Sequence, residues 1–469
     1  MIVSIVVFAS PVLAQTSWWR TYGGTSGDEG WSVQQTADGG YIIAGLTQSF
    51  GAGSYDVYLI KTNASGDTLW TRTYGGTNED FGLSVQQTSD SGYIIAGYTK
   101  SFGAGLDDVY LIKTNASGDN LWTRTYGGIN DDEGWSVQQT SDSGYIVAGW
   151  TMSFGAGEAD VYLIKANASG DTQWTRTYGG FSDDEGYSVQ QTSDGGYVIA
   201  GETYSFGAGY RDVYLIKTSA SGDTLWTRTY GGTNGDGGYS VQQTADGGYI
   251  VAGYTESFGA GNEDVYLVRT NASGDTLWTR TYGGTDIDYG NSVQQTSDGG
   301  YIIAGETWSF GAGTPDSANV YLIRTNASGD TLWTRTCGGT GSDWGYSVQQ
   351  TSDSGYIIAG STTSFGAGGS DVYLIKTDAN GNVAVEEPST LQLANSRTAF
   401  RVQPNPFSTS AAVPGHDTER FILSDVSGRE VGVCNGNRIG EGLPPGVYFL
   451  SPVKPAIPYT RPLRIVKGG

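Results

Sequence analysis

A unit of about 52 residues is written seven times in this chain, and a fixed period of that size points to a solenoid or a propeller. The clearest marker is the string WTRTYGG, with its Trp read at Trp19, Trp70, Trp122, Trp174, Trp226, Trp278 and Trp333. The second copy shows what each unit contains. Leu69–Tyr74 alternates as a strand does, Ser84–Thr88 (SVQQT) is a second β-prone run, and Asp90-Ser91-Gly92 is a tight turn. Tyr93–Thr99 and Asp108–Thr114 are further strands, and Asn115–Asp119 turns the chain back. Four short strands without a helical period predict a propeller blade. The nearly continuous apolar runs Tyr93–Ala96 and Val109–Ile112 suit strands buried on both faces.

The expected fold is therefore all-β: a seven-bladed β-propeller of four-stranded blades over residues 16–383. The chain starts inside a unit, so strand Trp18–Tyr22 is expected to complete the last blade and remove its open edge. The run Asn382–Val385 competes for that place. The 74 glycines recur at turn positions of the repeat. A formal charge of −23 argues against nucleic acid and anionic lipid as partners. From Pro388 onward basic residues outnumber acidic ones, which marks a second unit. Residues 1–14 (MIVSIVVFASPVLA) read as an export signal whose basic end is missing, and no transmembrane segment is expected. Cys337 stands where other copies have Tyr and is expected to pack in the core, not to bridge to Cys434.

The order of SVQQT, turn, YIIAG, DVYLIKT and Trp strand resembles the kelch repeat. Kelch units carry a double Gly where this chain has Ala96-Gly97. The unit is more similar to the repeats of secreted bacterial propellers. In the tail, Pro404–Phe407 (PNPF), Leu423–Val431 (LSDVSGREV) and Gly446–Leu450 (GVYFL) resemble the type A sorting domain of the type IX secretion system, and an Ig-like module related to flagellar hook-capping proteins. That resemblance implies a small Ig-like β-sandwich over 397–469 behind a linker at 384–396. It also implies the type IX machinery as a partner, and a secreted or outer-surface location.

Chemistry is sparse. The single His, His416, lies in the tail, so the repeats cannot build a Ser-His-Asp, Cys-His or His-based metal arrangement. No catalytic residue is assigned and no cofactor is expected. Each copy carries D-x-G before SVQQT, at Asp28, Asp80, Asp132, Asp184, Asp236, Asp288 and Asp343. Clustered oxygens are what Ca²⁺ requires. Identical Asp in every copy fits turn capping better, and that structural reading is preferred. The Trp-Arg-Tyr stripe (Trp122, Arg124, Tyr126) reads as packing between blades with cation–π contact, and the Asn-Ala-Ser triplets read as turns.

Variation concentrates where the long connections emerge. It falls after the D-x-G glycine (Trp31, Leu83, Trp135, Tyr187, Tyr239, Asn291, Tyr346), inside D-x-G, and after YIIAG. The candidate ligand-binding residues are Trp31, Trp135, Trp150, Tyr187, Tyr289, Trp308 and Trp344. Aromatics mixed with acids on one face suit a glycan or a protein partner. The expected function is an exported binding or adhesion module. The alternatives are a glycan hydrolase or lyase using Asp and Glu on that face, and a structural spacer.

Overall fold

The computed structural model describes residues 17–312 and 317–383, with 408–413, 420–425, 429–435, 437–452 and 463–467 in the tail. The expected signal (1–14), linker (384–396), PNPF motif and His416 lie outside the described residues. The chain forms two compact units, Met1–Val385 and Glu386–Gly469.

Among the described residues the first unit contains seven four-stranded antiparallel sheets, and it is a β-propeller in architecture. One sheet runs Asp28–Gln35, Tyr41–Thr47, Asp56–Thr62 and Thr68–Tyr74. The pattern repeats until the last sheet, where Trp18–Tyr22 pairs antiparallel with Asp371–Thr377. The innermost strand of each sheet packs on that of the next, and Asp28–Gln35 packs on Asp343–Gln350, so the ring is closed. The two middle strands of each sheet are buried on both faces because a neighbouring sheet covers each side.

The register corrects one assignment. Trp18, not Trp19, occupies the marker position. It pairs with Lys376 as Trp70 pairs with Lys61, and Arg20 lies over its ring at 5.4 Å as Arg72 lies over Trp70. Trp19 stands where other copies have Thr, stacked on Phe365 at 4.8 Å. Cys337, the Tyr replacement, lies half-buried against the same apolar cluster. Both line a cavity of about 350 Å³. Neither cysteine is bridged.

The invariant strings hold sheet to sheet. In SVQQT the Ser Oγ accepts from the backbone of the next sheet (Val85 N to Ser32 Oγ, 3.1 Å). The first Gln does the same (Gln87 N to Gln34 Oε1, 2.6 Å), and Ala37 N reaches forward to Gln87 Oε1 at 2.9 Å. The ring closes through Val33 N to Ser347 Oγ at 3.2 Å and Gln35 N to Gln349 Oε1 at 2.6 Å. At the rim, Tyr74 Oη donates to the Gly118 carbonyl in the next sheet's Asn-Ala-Ser-Gly turn. That glycine has φ 78°, and a Cβ there would strike the Trp70 ring. The lysine of DVYLIKT is buried and pairs with the turn Asp of its own sheet, as in Lys61–Asp38 at 2.9 Å.

In the tail, the described residues form one four-stranded antiparallel sheet, ordered Glu430–Asn435, Arg420–Ser424, Gly446–Pro452, Leu463–Lys467. Phe421, Leu423, Tyr448, Leu450 and Ile465 make its core.

Candidate functional site: an aromatic and acidic basin on the ring axis

Every innermost strand carries a β-bulge at one position. The ladder skips from Gly30 to Ser32, and likewise at the equivalent positions of the other six sheets. A bulged residue is left out of the ladder and its side chain is re-aimed. The residues so released are Trp31, Leu83, Trp135, Tyr187, Tyr239, Asn291 and Tyr346, and all line one basin of about 630 Å³. The bulge needs glycine beside it, since a Cβ at Gly45 would run into the Glu29 carbonyl. The same strands line a narrower channel of about 240 Å³ through their Val and Gln residues.

The aromatic wall is continuous over most of the circle. Tyr346 stacks on Trp31 at 4.3 Å, and Trp31 meets Trp135 edge-on at 6.0 Å, closing over the buried Leu83. Trp135 meets Tyr187 at 5.3 Å, Tyr187 meets Tyr239 at 5.4 Å, and Tyr239 meets Tyr289 at 6.4 Å. Asn291 breaks the wall, donating to Glu306 and to the Gly345 carbonyl.

Carboxylates stand in this wall. Trp135 Nε1 donates to Glu133 Oε2 at 2.9 Å, and Tyr187 Oη donates to Glu185. Burial pushes Glu133 up to about 8, outweighing the Trp135 hydrogen bond, and Asp107, Glu185 and Asp131 add to the rise. Glu306 is 7% exposed, and burial raises it to about 8 against the Asn291 hydrogen bond. Burial also raises Glu185. Glu202 behind Tyr187 differs: Arg211 pairs with it at 3.2 Å and itself lies over Tyr254 at 5.3 Å.

Of the candidate ligand residues, Trp31, Trp135, Trp150, Tyr187 and Tyr289 line the basin, while Trp308 and Trp344 do not. Trp308 lies edge-on behind Tyr289 at 6.4 Å. The candidate set omitted Tyr239 and Tyr346, although both occupy the varying position after the D-x-G glycine. The candidate metal residues Asp28, Asp80, Asp132, Asp184, Asp236, Asp288 and Asp343 are fully buried, one per sheet. Asp28 accepts from Thr47 Oγ1, from Ser49 Oγ at 2.6 Å and from Gly24 N at 2.8 Å, fixing the double glycine of WTRTYGG. Among the described residues, no three His, Cys, Asp or Glu form a group that could hold a metal ion.

Comparison with known proteins agrees on architecture. The model described as "Domain of unknown function (DUF5122) beta-propeller" matches residues 244–276. The chain is a β-propeller repeat protein. It is 25% identical over 252 residues to the "Regulatory protein FlaEY" of Caulobacter vibrioides, a match covering 46% of this chain. The chain spans about a quarter of that relative's length, since the match covers 25% of it. Among solved structures, Sqt1 from Chaetomium thermophilum is similar over 74% of this chain and 82% of its own, at 11% identity and a TM-score of 0.43. PorZ, a type IX secretion component of Porphyromonas gingivalis, is similar over 96% of this chain and 60% of its own, at 11% identity and a TM-score of 0.41. Among the described residues no helix is long and apolar enough to cross a membrane.

Proposed function

We propose that the chain is a seven-bladed propeller acting as an exported or cell-surface binding module, with its ligand, a glycan or a protein segment, seated in the axial basin. The observation that carries this reading is that the residues differing most between copies converge on one cavity. Its volume, about 630 Å³, falls within the range of ligand pockets. The Ser, Gln and Tyr residues common to the copies join one sheet to the next. The C-terminal motifs, through their resemblance to type IX sorting domains, support export and attachment, with the type IX machinery as partner.

The test is a polysaccharide, glycan and surface-protein array probed with the full chain and with a Trp31→Ala/Trp135→Ala variant. Retention by the parent and loss in the variant is expected, unchanged by EDTA. Equal retention by both overturns the reading. A catalytic reading draws on one observation: a carboxylic acid that holds its proton to about pH 8, as Glu133 does, suits a general acid. Reducing-end release from any retained glycan, lost in Glu133→Gln, would establish that activity.

A further inference from the structure

The basin joins two features that rarely occur together without a reason. Aromatic side chains surround an open space, and carboxylates stand in the same wall outside any ion pair, with Arg211 acting on Glu185 only from behind. Among the described residues no Lys or Arg forms an ion pair with Glu133, Glu185 or Glu306. Their donors are neutral: Trp135 Nε1 to Glu133, Tyr187 Oη to Glu185, and Asn291 Nδ2 to Glu306. The buried lysines of the repeats, by contrast, are paired. Lys61, Lys113, Lys165 and Lys217 each meet an Asp, and Glu202 just behind the basin meets Arg211. The buried Asp132 is enclosed by three neutral donors, whereas Glu133 accepts from Trp135 and lines the basin, where a bound cation can reach it.

We propose that the ligand group seated in the basin is an organic cation, an alkylated ammonium enclosed by Trp31, Trp135, Tyr187 and Tyr239 and neutralised by Glu133 and Glu185. This rests on the reading of the basin as the binding site and narrows its ligand class. The ring faces attract a cation through their quadrupoles, and quaternary ammonium groups are the ligands such walls hold best. A neutral sugar would use the aromatic faces but would leave the carboxylates as unpaired as before. The ammonium could arrive as a free small molecule or on a methylated lysine of a protein.

The cation changes the proton balance of the site. Without ligand, Glu133 keeps its proton to about pH 8. The groups acting on it are Trp135, Asp107, Glu185 and Asp131, none of them cationic. Bound ammonium favours the carboxylate, so the Glu133 O–H releases its proton to solvent on binding. Affinity therefore rises with pH and levels off above about 8.

The experiment is calorimetric titration of the full chain with choline, with its neutral isostere 3,3-dimethyl-1-butanol, and with a peptide carrying trimethyllysine, at pH 6 and pH 9. Choline or the peptide is expected to bind, with the isostere about tenfold weaker or more. Binding should be tighter at pH 9 and lost in Trp135→Ala. Glu133→Gln should bring choline and isostere together. A peptide tighter than choline identifies a protein-borne cation, and the reverse identifies a small molecule. An isostere as tight as choline overturns the cation and leaves an apolar pocket. Neutral oligosaccharides retained on the array while both cations fail overturn this inference but not the binding module. Failure of all probes on array and calorimeter overturns both.

Discussion

Two rings of side chains project from the same seven innermost strands, and they follow opposite rules. At one level Val33, Gln34 and their counterparts are identical in every sheet and line the narrow channel. At the other, Trp31, Leu83, Trp135, Tyr187, Tyr239, Asn291 and Tyr346 vary from copy to copy, five of them aromatic, and line the basin. The difference is one of hydrogen bonding. Each Ser and Gln of SVQQT accepts a backbone N–H of a neighbouring sheet, so a change there leaves that donor unsatisfied. The bulged residue owes the ladder nothing, so it can change without loss to the ring. The lesson is that strict repetition here records assembly, and departure from it records the site.

The comparison predicts how substitutions should divide. The largest effect is expected on the scaffold side. Asp132 is fully buried and accepts from Gly128 N, Ser153 Oγ and Thr151 Oγ1. Asp132→Ala should cost about 3 kcal/mol in denaturant unfolding. A cost near zero would mean the D-x-G aspartates are not the clamps described.

Asp142 comes next. It pairs with buried Lys165 at 3.0 Å, and its removal leaves that ammonium unpaired. Asp142→Ala should cost about 2 kcal/mol. Burial alone would raise Asp142, but hydrogen bonds from Thr140, Lys165 and Gly144 hold it at about 2. Its contribution is thus present above its ordinary 3.8 and lost as pH falls toward 2, which an acid titration of parent and variant will check.

The basin should respond with the opposite sign. Glu306 ionises near 4.5 in the unfolded chain but holds its proton to about 8 when folded. Stability therefore falls as pH rises between those values and is level above them. Glu306→Gln should remove that fall and leave the variant more stable than the parent at pH 8. Parallel curves of melting temperature against pH would contradict the unpaired buried carboxylate.

The smallest effect belongs to the tight turns. Ser91, Ser143 and Ser354 hold φ of 65–68° where four other copies place Gly. Ser91→Gly should stabilise by about 1 kcal/mol, measured by thermal melting, since only glycine adopts that region without strain. A loss would mean the Ser Oγ supports the turn.

Much of the fold was legible because its period is strict. Alternation in Leu69–Tyr74, the turn at Asp90–Gly92 and the apolar middle strands each correspond to an observed element. The Trp18 register is easily misread because Trp18 and Trp19 are adjacent; the following Arg-Thr-Tyr-Gly-Gly and the pairing with Lys376 separate them. The varying positions were visible, but their convergence was not. A bulge leaves no residue signature beyond a glycine before the varied position, so Tyr239 and Tyr346 looked like ordinary surface aromatics. The missing counter-charge at Glu133 was hidden too, because a sequence shows charges but not which of them meet.

The most direct measurement compares two alanine substitutions three residues apart on one strand, Trp135→Ala and Gln138→Ala, for melting temperature and for binding on the array. Gln138 accepts from Gln191 N of the neighbouring sheet, while Trp135 bonds Glu133 of its own strand and meets the other basin rings. The account predicts that Trp135→Ala melts like the parent and loses ligand, and that Gln138→Ala melts lower and keeps it. A Trp135→Ala protein that binds as the parent does, or a Gln138→Ala protein that alone loses ligand, would contradict the division between scaffold and site.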